Sequence, residues 1–377
     1  MNRVLQQLID ALLDPTILAE LTGRPVVADR LRIKPGTSVV IGLRDQASGR
    51  VDGWARILWP AVQDKASKAV ERAERRGQRI HVRAIHAGLL LQAGEVSADP
   101  QLAAVIRQAL KESLVEVGDQ VLRYNPLRRF VLRRGATTVR LSATPDEVAL
   151  PLDWALTEAG VPVPGRLDTG SRPQVAVQAF VGDTDLEATP SAPATRAVGE
   201  ALARLHTVEL APSLADALAA EPDLADVGAA HVALLGHLDD GLAERMGQVA
   251  AATASRWAEV RSQSFGGSAL VHGDASPDQM LLDTTTGRTW ITDFDRACLA
   301  APAVDLGSYL AATTEPLGRE LLDGYASAGG AVPGERELTA ARARALLLSA
   351  VDPVRRANPE WRDLIEIRLD EIEEALK

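Results

Sequence analysis

The sequence predicts an α+β chain, strand-rich at the front and helix-rich at the rear. Short apolar runs bounded by Gly and Pro fall at residues 30–34, 38–44, 53–59, 129–133 and 138–142, as strands require. Beyond residue 196 the apolar positions return every three or four residues, as in Ala197, Val198, Ala201, Leu202 and Leu205. With 377 residues the chain is long enough for two or three compact domains.

Taken in order, Val4, Leu5, Leu8, Ile9 and Leu12 share one face of a first helix, with Pro15 near its end. Residues 30–44 read as strand, turn and strand about Pro35-Gly36, and 53–59 as a third strand closed by Pro60. Residues 65–76 read as a charged helix stopped by Gly77, and 85–91 as another strand. Asp99-Pro100 opens a helix through Leu102, Val105, Ile106 and Leu110. Residues 1–118 therefore form a front α+β unit.

A faint repeat links this unit to the next, because Leu31-Arg32-Ile33-Lys34-Pro35 is echoed by Leu122-Arg123-Tyr124-Asn125-Pro126. After the second strand pair, joined at Gly135, a helix from Glu147 ends at Gly160, and residues 175–182 are an apolar strand running into a Pro-containing link. These features bound a second unit at 119–182 and a helical third at 183–377. Its last apolar stripes lie at 338–348 and at Ile365, Leu369, Ile372 and Leu376.

Charge and cysteine usage narrow the function classes. A net charge of −10 disfavours a general nucleic-acid binder and is compatible with cationic substrates. The single Cys298 excludes an internal disulfide and any cysteine-cluster metal site, so a cytoplasmic location is expected. His231 and His237 have no paired carboxylates nearby and read as non-ligands, and His206 as a structural helix end. No stretch reaches membrane length, and residues 1–15 lack the apolar run of a signal peptide.

The chemistry is concentrated in Val271-His272-Gly273-Asp274-Ala275-Ser276-Pro277-Asp278-Gln279, followed by Trp290-Ile291-Thr292-Asp293-Phe294-Asp295. Apolar runs at 269–271 and 280–282 flank the polar loop, and a turn at 284–288 leads into 289–292. That hairpin is expected to bring Asp274, Gln279 and Asp293 together. Two carboxylates and one amide are hard oxygen ligands, suited to Mg²⁺, and a carboxylate left free for a hydroxyl is the equipment of phosphoryl transfer.

These segments resemble the His-Gly-Asp-x-x-x-x-Asn and Asp-Phe-Gly-type motifs of the aminoglycoside phosphotransferase and choline kinase group, relatives of protein kinases. The resemblance covers residues 121–377. It implies a bilobal kinase-like fold, ATP or another NTP as donor, and Mg²⁺. Asp274 would be the catalytic aspartate and His272 would hold its loop. Gln279, in place of the usual Asn, and Asp293 would ligate the metal, with Asp305 bracing the loop and Asp295 supporting it.

In the small lobe the resemblance implies a strand lysine at the α- and β-phosphates, but Arg140 stands there. Glu147 is its expected partner, with Asp146 and Glu158 as alternatives. Of the arginines crowding this lobe, Arg128 or Arg129 is expected near phosphate. The backbone of Gln178, Ala179 and Phe180 would meet the base at a hinge within 178–182. Asp278, Asp295, Glu315 and Asp323 are candidate acids for a cationic acceptor.

Three functions compete. The first is an ATP-dependent kinase for a hydroxyl of a small molecule such as an aminoglycoside, another antibiotic or a sugar. The second is a Ser/Thr peptide kinase with residues 1–118 docking a peptide or partner protein. The third is a non-catalytic scaffold, motivated by Arg140 and Gln279.

Overall fold

The computed structural model describes residues 2–168, 172–263 and 267–377. Its front carries two antiparallel sheets built on one plan. In the first, β1 (Val26–Lys34), β2 (Ser38–Asp45) and β3 (Val51–Leu58) form a meander; after the Asp64–Glu74 helix come β4 (His81–Ala84) and β5 (Leu90–Glu95), giving the order β1-β2-β3-β5-β4. In the second, β6 (Gln120–Asn125), β7 (Arg129–Arg134) and β8 (Thr137–Ser142) form the meander, and β9 (Val175–Ala179) pairs with β8 after the Ala149–Glu158 helix. The short sequence echo therefore marks the first strand of two similarly wound sheets.

The hairpin expected at 280–292 belongs to one of two small ribbons. β10 (Thr184–Asp185) pairs with β12 (Met280–Leu282), which pairs with β13 (Thr289–Ile291), while β11 (Ala269–Val271) pairs with β14 (Cys298–Ala300). Helices surround them.

Local departures from the expected elements have physical causes. Pro15 does not merely end a helix: Asp14 caps Thr16 and Ile17 through its carboxylate, and Pro15 starts a second helix, Pro15–Thr22, at the position where its missing N–H does no harm. The strand expected at 85–91 is a turn between β4 and β5, because Ala87 (φ 61°) and Gly88 (φ 71°) take left-handed backbone there. Asp240–Gln263, a helix of 24 residues, drew no expectation because alanines blur its apolar stripe.

Three cores hold the molecule together. Leu31, Ile41, Ala55 and Leu91 of the first sheet pack with Met246, Leu347, Trp361 and Leu369 of the rear helices. On its other side Trp54, Ala69 and Leu102 pack with Tyr124, Phe130 and Leu141 of the second sheet. A third core joins the Ala149–Glu158 helix to the Ala192–Leu205 and Ala303–Ala311 helices and the hairpin through Leu156, Leu202, Leu270, Ile291 and Leu306. The front sheet is thus wedged between the second sheet and the rear helices, its apolar surface buried on both sides.

The wedge also fixes the β6–β7 turn. Asp99 is fully buried and accepts hydrogen bonds from Tyr124 Oη (2.7 Å) and the Leu127 amide (2.8 Å), while capping its own segment through the Gln101 and Leu102 amides. Gly42 of β2 lies against Pro126 in the same turn, where an added Cβ would sit 3.6 Å from the ring.

Candidate active site

The polar loop at 272–279 begins where β11 ends, and its backbone is fixed from behind. Asp305, fully buried at the start of the Ala303–Ala311 helix, accepts from the amides of His272 and Gly273, each at 2.8 Å. His206 Nε2 donates to the same carboxylate at 3.1 Å, and His206 Nδ1 is hydrogen-bonded to Tyr325 Oη at 2.9 Å. Burial alone would raise the Asp305 pKa; the hydrogen bond and charge of His206 and the His272 amide hold it below its ordinary value. Asp305 stands where the sequence placed a brace. His206 reinforces it, a role the sequence reading left as a plain helix end.

The imidazole of His272 ties the loop to the hairpin. Its Nε2 donates to the Thr292 carbonyl at 2.7 Å and its Nδ1 accepts from the Asp274 amide at 3.2 Å. Thr292 in turn donates from its amide and its hydroxyl to the Gln279 carbonyl. Residues 272–274, 279 and 292–293 are therefore stitched into one unit. Gly273 has φ 81°, and a Cβ there would meet the Arg296 carbonyl at 2.2 Å, so only glycine lets the loop lie this close.

Asp274 is partly exposed, its carboxylate 3.2 Å from Arg296 Nη1. Burial raises its pKa, against the lowering by the Arg296 guanidinium. Asp293 has left-handed backbone (φ 64°, ψ 55°), a strained conformation for a non-glycine residue of the kind found at ligand sites. Its carboxylate takes Arg129 Nη1 at 2.9 Å and Arg123 Nη1 at 3.3 Å, with Arg140 at 3.9 Å. Burial opposes its ionisation, but the three arginines prevail and its pKa falls to about 2. Asp295 accepts from Arg129 (2.8 Å) and Arg140 (2.6 Å).

Two aspartates facing three arginines form a layered charge array at the junction of the lobes. Arg129 and Arg140 are on adjacent strands, on the sheet face that alternation turns away from Phe130 and Leu141. Arg128 is exposed in the turn and makes no side-chain hydrogen bond or ion pair among the described residues. Glu147 is exposed as well, and Arg140 pairs with Asp295 in its place, because helix formation begins only at Ala149, with Asp146 capping the amides of Val148 and Ala149.

The acid that faces Arg140 from this helix is Asp153. It is buried, accepts from Arg166 Nη1 (2.9 Å) and Gln178 Nε2 (3.2 Å), and feels the charge of Arg140. Burial raises its pKa although Arg166 opposes the rise. Sequence reasoning missed it, yet a lone acid between Leu152 and Leu156, both buried, was a usable signal.

A cavity of about 340 Å³ opens beside this array, lined by Arg140, Asp153, Ala176, Gln178, Asp293 and Phe294 among others. Gln178 thus reaches it by its side chain. The amides of Ala179 and Phe180 are occupied, donating to the carbonyls of Gly165 (2.8 Å) and Ala136 (2.9 Å), because β9 has neighbours along both edges. The link beyond it, at Val181 and Gly182, carries the first amides without a backbone partner among the described residues.

Of the candidate acceptor acids, Asp278 takes the Ser276 hydroxyl and Gln279 Nε2, and Asp295 belongs to the arginine array. Glu315 and Asp323 are largely exposed on the Glu315–Ser327 helix, paired with Arg319 and Arg196.

The oxygens of Asp293, Asp295 and Gln279 are the donor type that Mg²⁺ selects. No group of three His, Cys, Asp or Glu able to hold a metal is found among the described residues, and the carboxylates of Asp293 and Asp295 are matched by guanidinium groups instead. That arrangement fits a ligand bringing cation and polyphosphate together, since each aspartate and each arginine then exchanges one partner of opposite charge for another.

Residues 117–343 match the family model described as "Phosphotransferase enzyme family". Similar solved structures include a choline/ethanolamine kinase family protein from Mesorhizobium loti, at 21% identity and TM-score 0.53, with 73% of this chain and 95% of that one covered. Choline kinase LicA from Streptococcus pneumoniae aligns at 12% identity and TM-score 0.52 over 73% of this chain and 98% of that one. The AMP-bound spectinomycin phosphotransferase APH(9)-Ia aligns at 13% and 0.53, over 71% and 97%. No curated protein matches in sequence. At these identities the structural likeness is one of fold: two lobes of the protein-kinase type, with the front sheet added ahead of them. The family model spans more than half of the chain, which therefore belongs to the phosphotransferase enzyme family.

Proposed function

We propose that this chain transfers the γ-phosphoryl group of ATP, or another nucleoside triphosphate, to a hydroxyl of a small molecule. The observation that carries the reading is the braced loop: just ahead of Asp274 the amides of His272 and Gly273 donate to buried Asp305, and the His272 ring joins the Asp274 amide to the carbonyl of Thr292, next to the strained Asp293. Such rigidity is what alignment of a nucleophile needs, because positioning and electrostatic stabilisation account for most of phosphoryl-transfer catalysis. Support for a nucleotide donor comes from fold relatives solved with AMP, the spectinomycin phosphotransferase and LicA.

Mg²⁺, held by Asp293 and Gln279 with Asp295 beside them, would neutralise phosphate charge during transfer. Asp274 accepts the hydrogen bond of the acceptor hydroxyl and takes its proton as the oxygen attacks. Arg140 and Arg129 turn from the aspartates to the phosphate oxygens, bidentate geometry replacing the usual lysine. Asp153 and Arg166 keep Arg140 directed at the cavity. The base rests near Gln178, with the free amides of Val181 and Gly182 as its backbone contacts.

A calorimetric titration with Mg-ATP, followed by a mass-gain screen over aminoglycosides, sugars and other hydroxyl compounds, tests the assignment. Asp274→Asn should lower turnover by about 10²- to 10⁴-fold while leaving nucleotide affinity unchanged. Absence of Mg-ATP binding at millimolar concentration would leave the scaffold reading; equal turnover by the variant would remove the role given to Asp274.

A further inference from the structure

The front sheet does more than pad the fold, because β1 lies between the β6–β7 turn and the Asp352–Arg355 helix. Arg30 and Arg32 stand on the face of β1 opposite buried Leu31, and the Cβ of Arg30 flanks Gly42 where β2 meets Pro126 of the β6–β7 turn. The short Asp352–Arg355 helix packs on this strand. Its Asp352 lies within electrostatic reach of both Arg30 and the catalytic Asp274. Arg123, which pairs with Asp293, and Arg356 are within the same reach of Arg30.

The charges here do not balance. Asp29 is engaged by Arg44 at 2.6 Å, Asp352 by Arg355 at 3.3 Å, and Asp274 by Arg296 at 3.2 Å. Half-buried Arg30 and exposed Arg356 are left with no side-chain hydrogen bond or ion pair among the described residues. Cations crowd one another in a chain whose net charge is −10. Desolvating an unpaired guanidinium next to two others is unfavourable unless an anion completes the set.

Resting on the phosphotransferase reading, we infer that the acceptor is anionic, with a phosphate or carboxylate held by Arg30 of the front sheet and Arg356 while its hydroxyl faces Asp274. The geometry suits this division of labour. Arg123 and Arg129 remain with the nucleotide side through Asp293, and Arg30 and Arg356 address the far end of the acceptor. Guanidinium forks recognise phosphate and carboxylate alike, so both sources of anion stay within the assignment. The acids at 278, 295, 315 and 323 do not form a site for a cationic acceptor, because they are engaged or far out on the surface.

The test is calorimetry on the full chain, first with Mg²⁺ and a non-hydrolysable ATP analogue, then with four probes added to that complex: glycerol 3-phosphate, gluconate, glycerol and choline. One anionic probe should bind at least about tenfold more tightly than glycerol or choline, and R30Q and R356Q should each weaken it about 10- to 100-fold, the span of one charge-assisted pair. Preference for phosphate over gluconate, or the reverse, identifies the anion. Equal binding of charged and neutral probes, tighter binding of choline, or anion affinity unchanged in both variants would overturn the inference. So would a loss confined to nucleotide affinity in R30Q, which would put Arg30 on the donor. If the analogue does not bind at all, the kinase reading fails by itself; glycerol 3-phosphate or gluconate binding that is lost in R30Q would still support an anion site.

Discussion

Replacing Asp293 by Asn tests the charge array directly, since asparagine is the neutral isostere of the protonated aspartate. The carboxylate's pKa falls from an ordinary 3.8 to about 2 under the three arginines, and its side chain is only 22% exposed. A fall of that size corresponds to about 2 kcal/mol of stabilisation by the ionised form. The sign follows from the depressed folded value. The contribution is complete above about pH 4, where the unfolded chain would also ionise this group, and disappears as pH drops towards 2. The variant should therefore exchange the amide hydrogens of β7 and β13 about 30-fold faster than the parent at pH 7, if those strands open together. The gap should close near pH 2. Equal exchange rates at pH 7, or a gap that persists undiminished at pH 2, would refute the claim that ionised Asp293 ties the lobes together.

Other perturbations address the braces and the base. Because burial raises the Asp274 pKa and Arg296 lowers it, Arg296→Gln should move the acidic limb of the kcat–pH profile to higher pH, read from turnover between pH 4 and 8. Asp99→Ala removes an acceptor of four hydrogen bonds from a buried position and should lose about 2–4 kcal/mol by urea denaturation, with weaker nucleotide binding as the β6–β7 turn loosens. In Gly199→Ala the new Cβ would stand 2.1 Å from the Leu321 carbonyl oxygen, so the Ala192–Leu205 and Glu315–Ser327 helices must separate; a loss of about 1–3 kcal/mol or more should appear as a lower melting temperature.

How much could be read without coordinates depended on the range of the signal. The polar loop at 272–279 and its hairpin were legible because glycine, proline and apolar strand signals lie within a few residues of one another, whereas Asp305, more than thirty residues on, was indicated only by the family resemblance. Partners distant along the chain were not. Arg140 and Asp295 are 155 residues apart and His206 and Asp305 are 99 apart, and no local pattern announces either pair. That the amides of Ala179 and Phe180 are already occupied was hidden for a related reason: β9 has partners on both sides, and sequence alternation does not report which edges of a strand are free.

The position of the site follows from how the cores are shared. The β6–β7 turn is held to the front unit, because Asp99 accepts from Tyr124 Oη and the Leu127 amide and Gly42 of β2 lies against Pro126. The same sheet is bound to the rear helices through Leu31, Ile41 and Leu91. Moving one lobe against the other therefore strains two apolar interfaces at once, which limits large hinge motions. Opening should be local, confined to the polar array of Arg123, Arg129, Arg140, Asp293 and Asp295, whose members can exchange partners without exposing apolar surface. In such a molecule the energy needed to admit a nucleotide is set by ion-pair exchange. Nucleotide association should for that reason depend more steeply on ionic strength than on temperature, and stopped-flow binding at 0.05 and 0.5 M salt would separate the two.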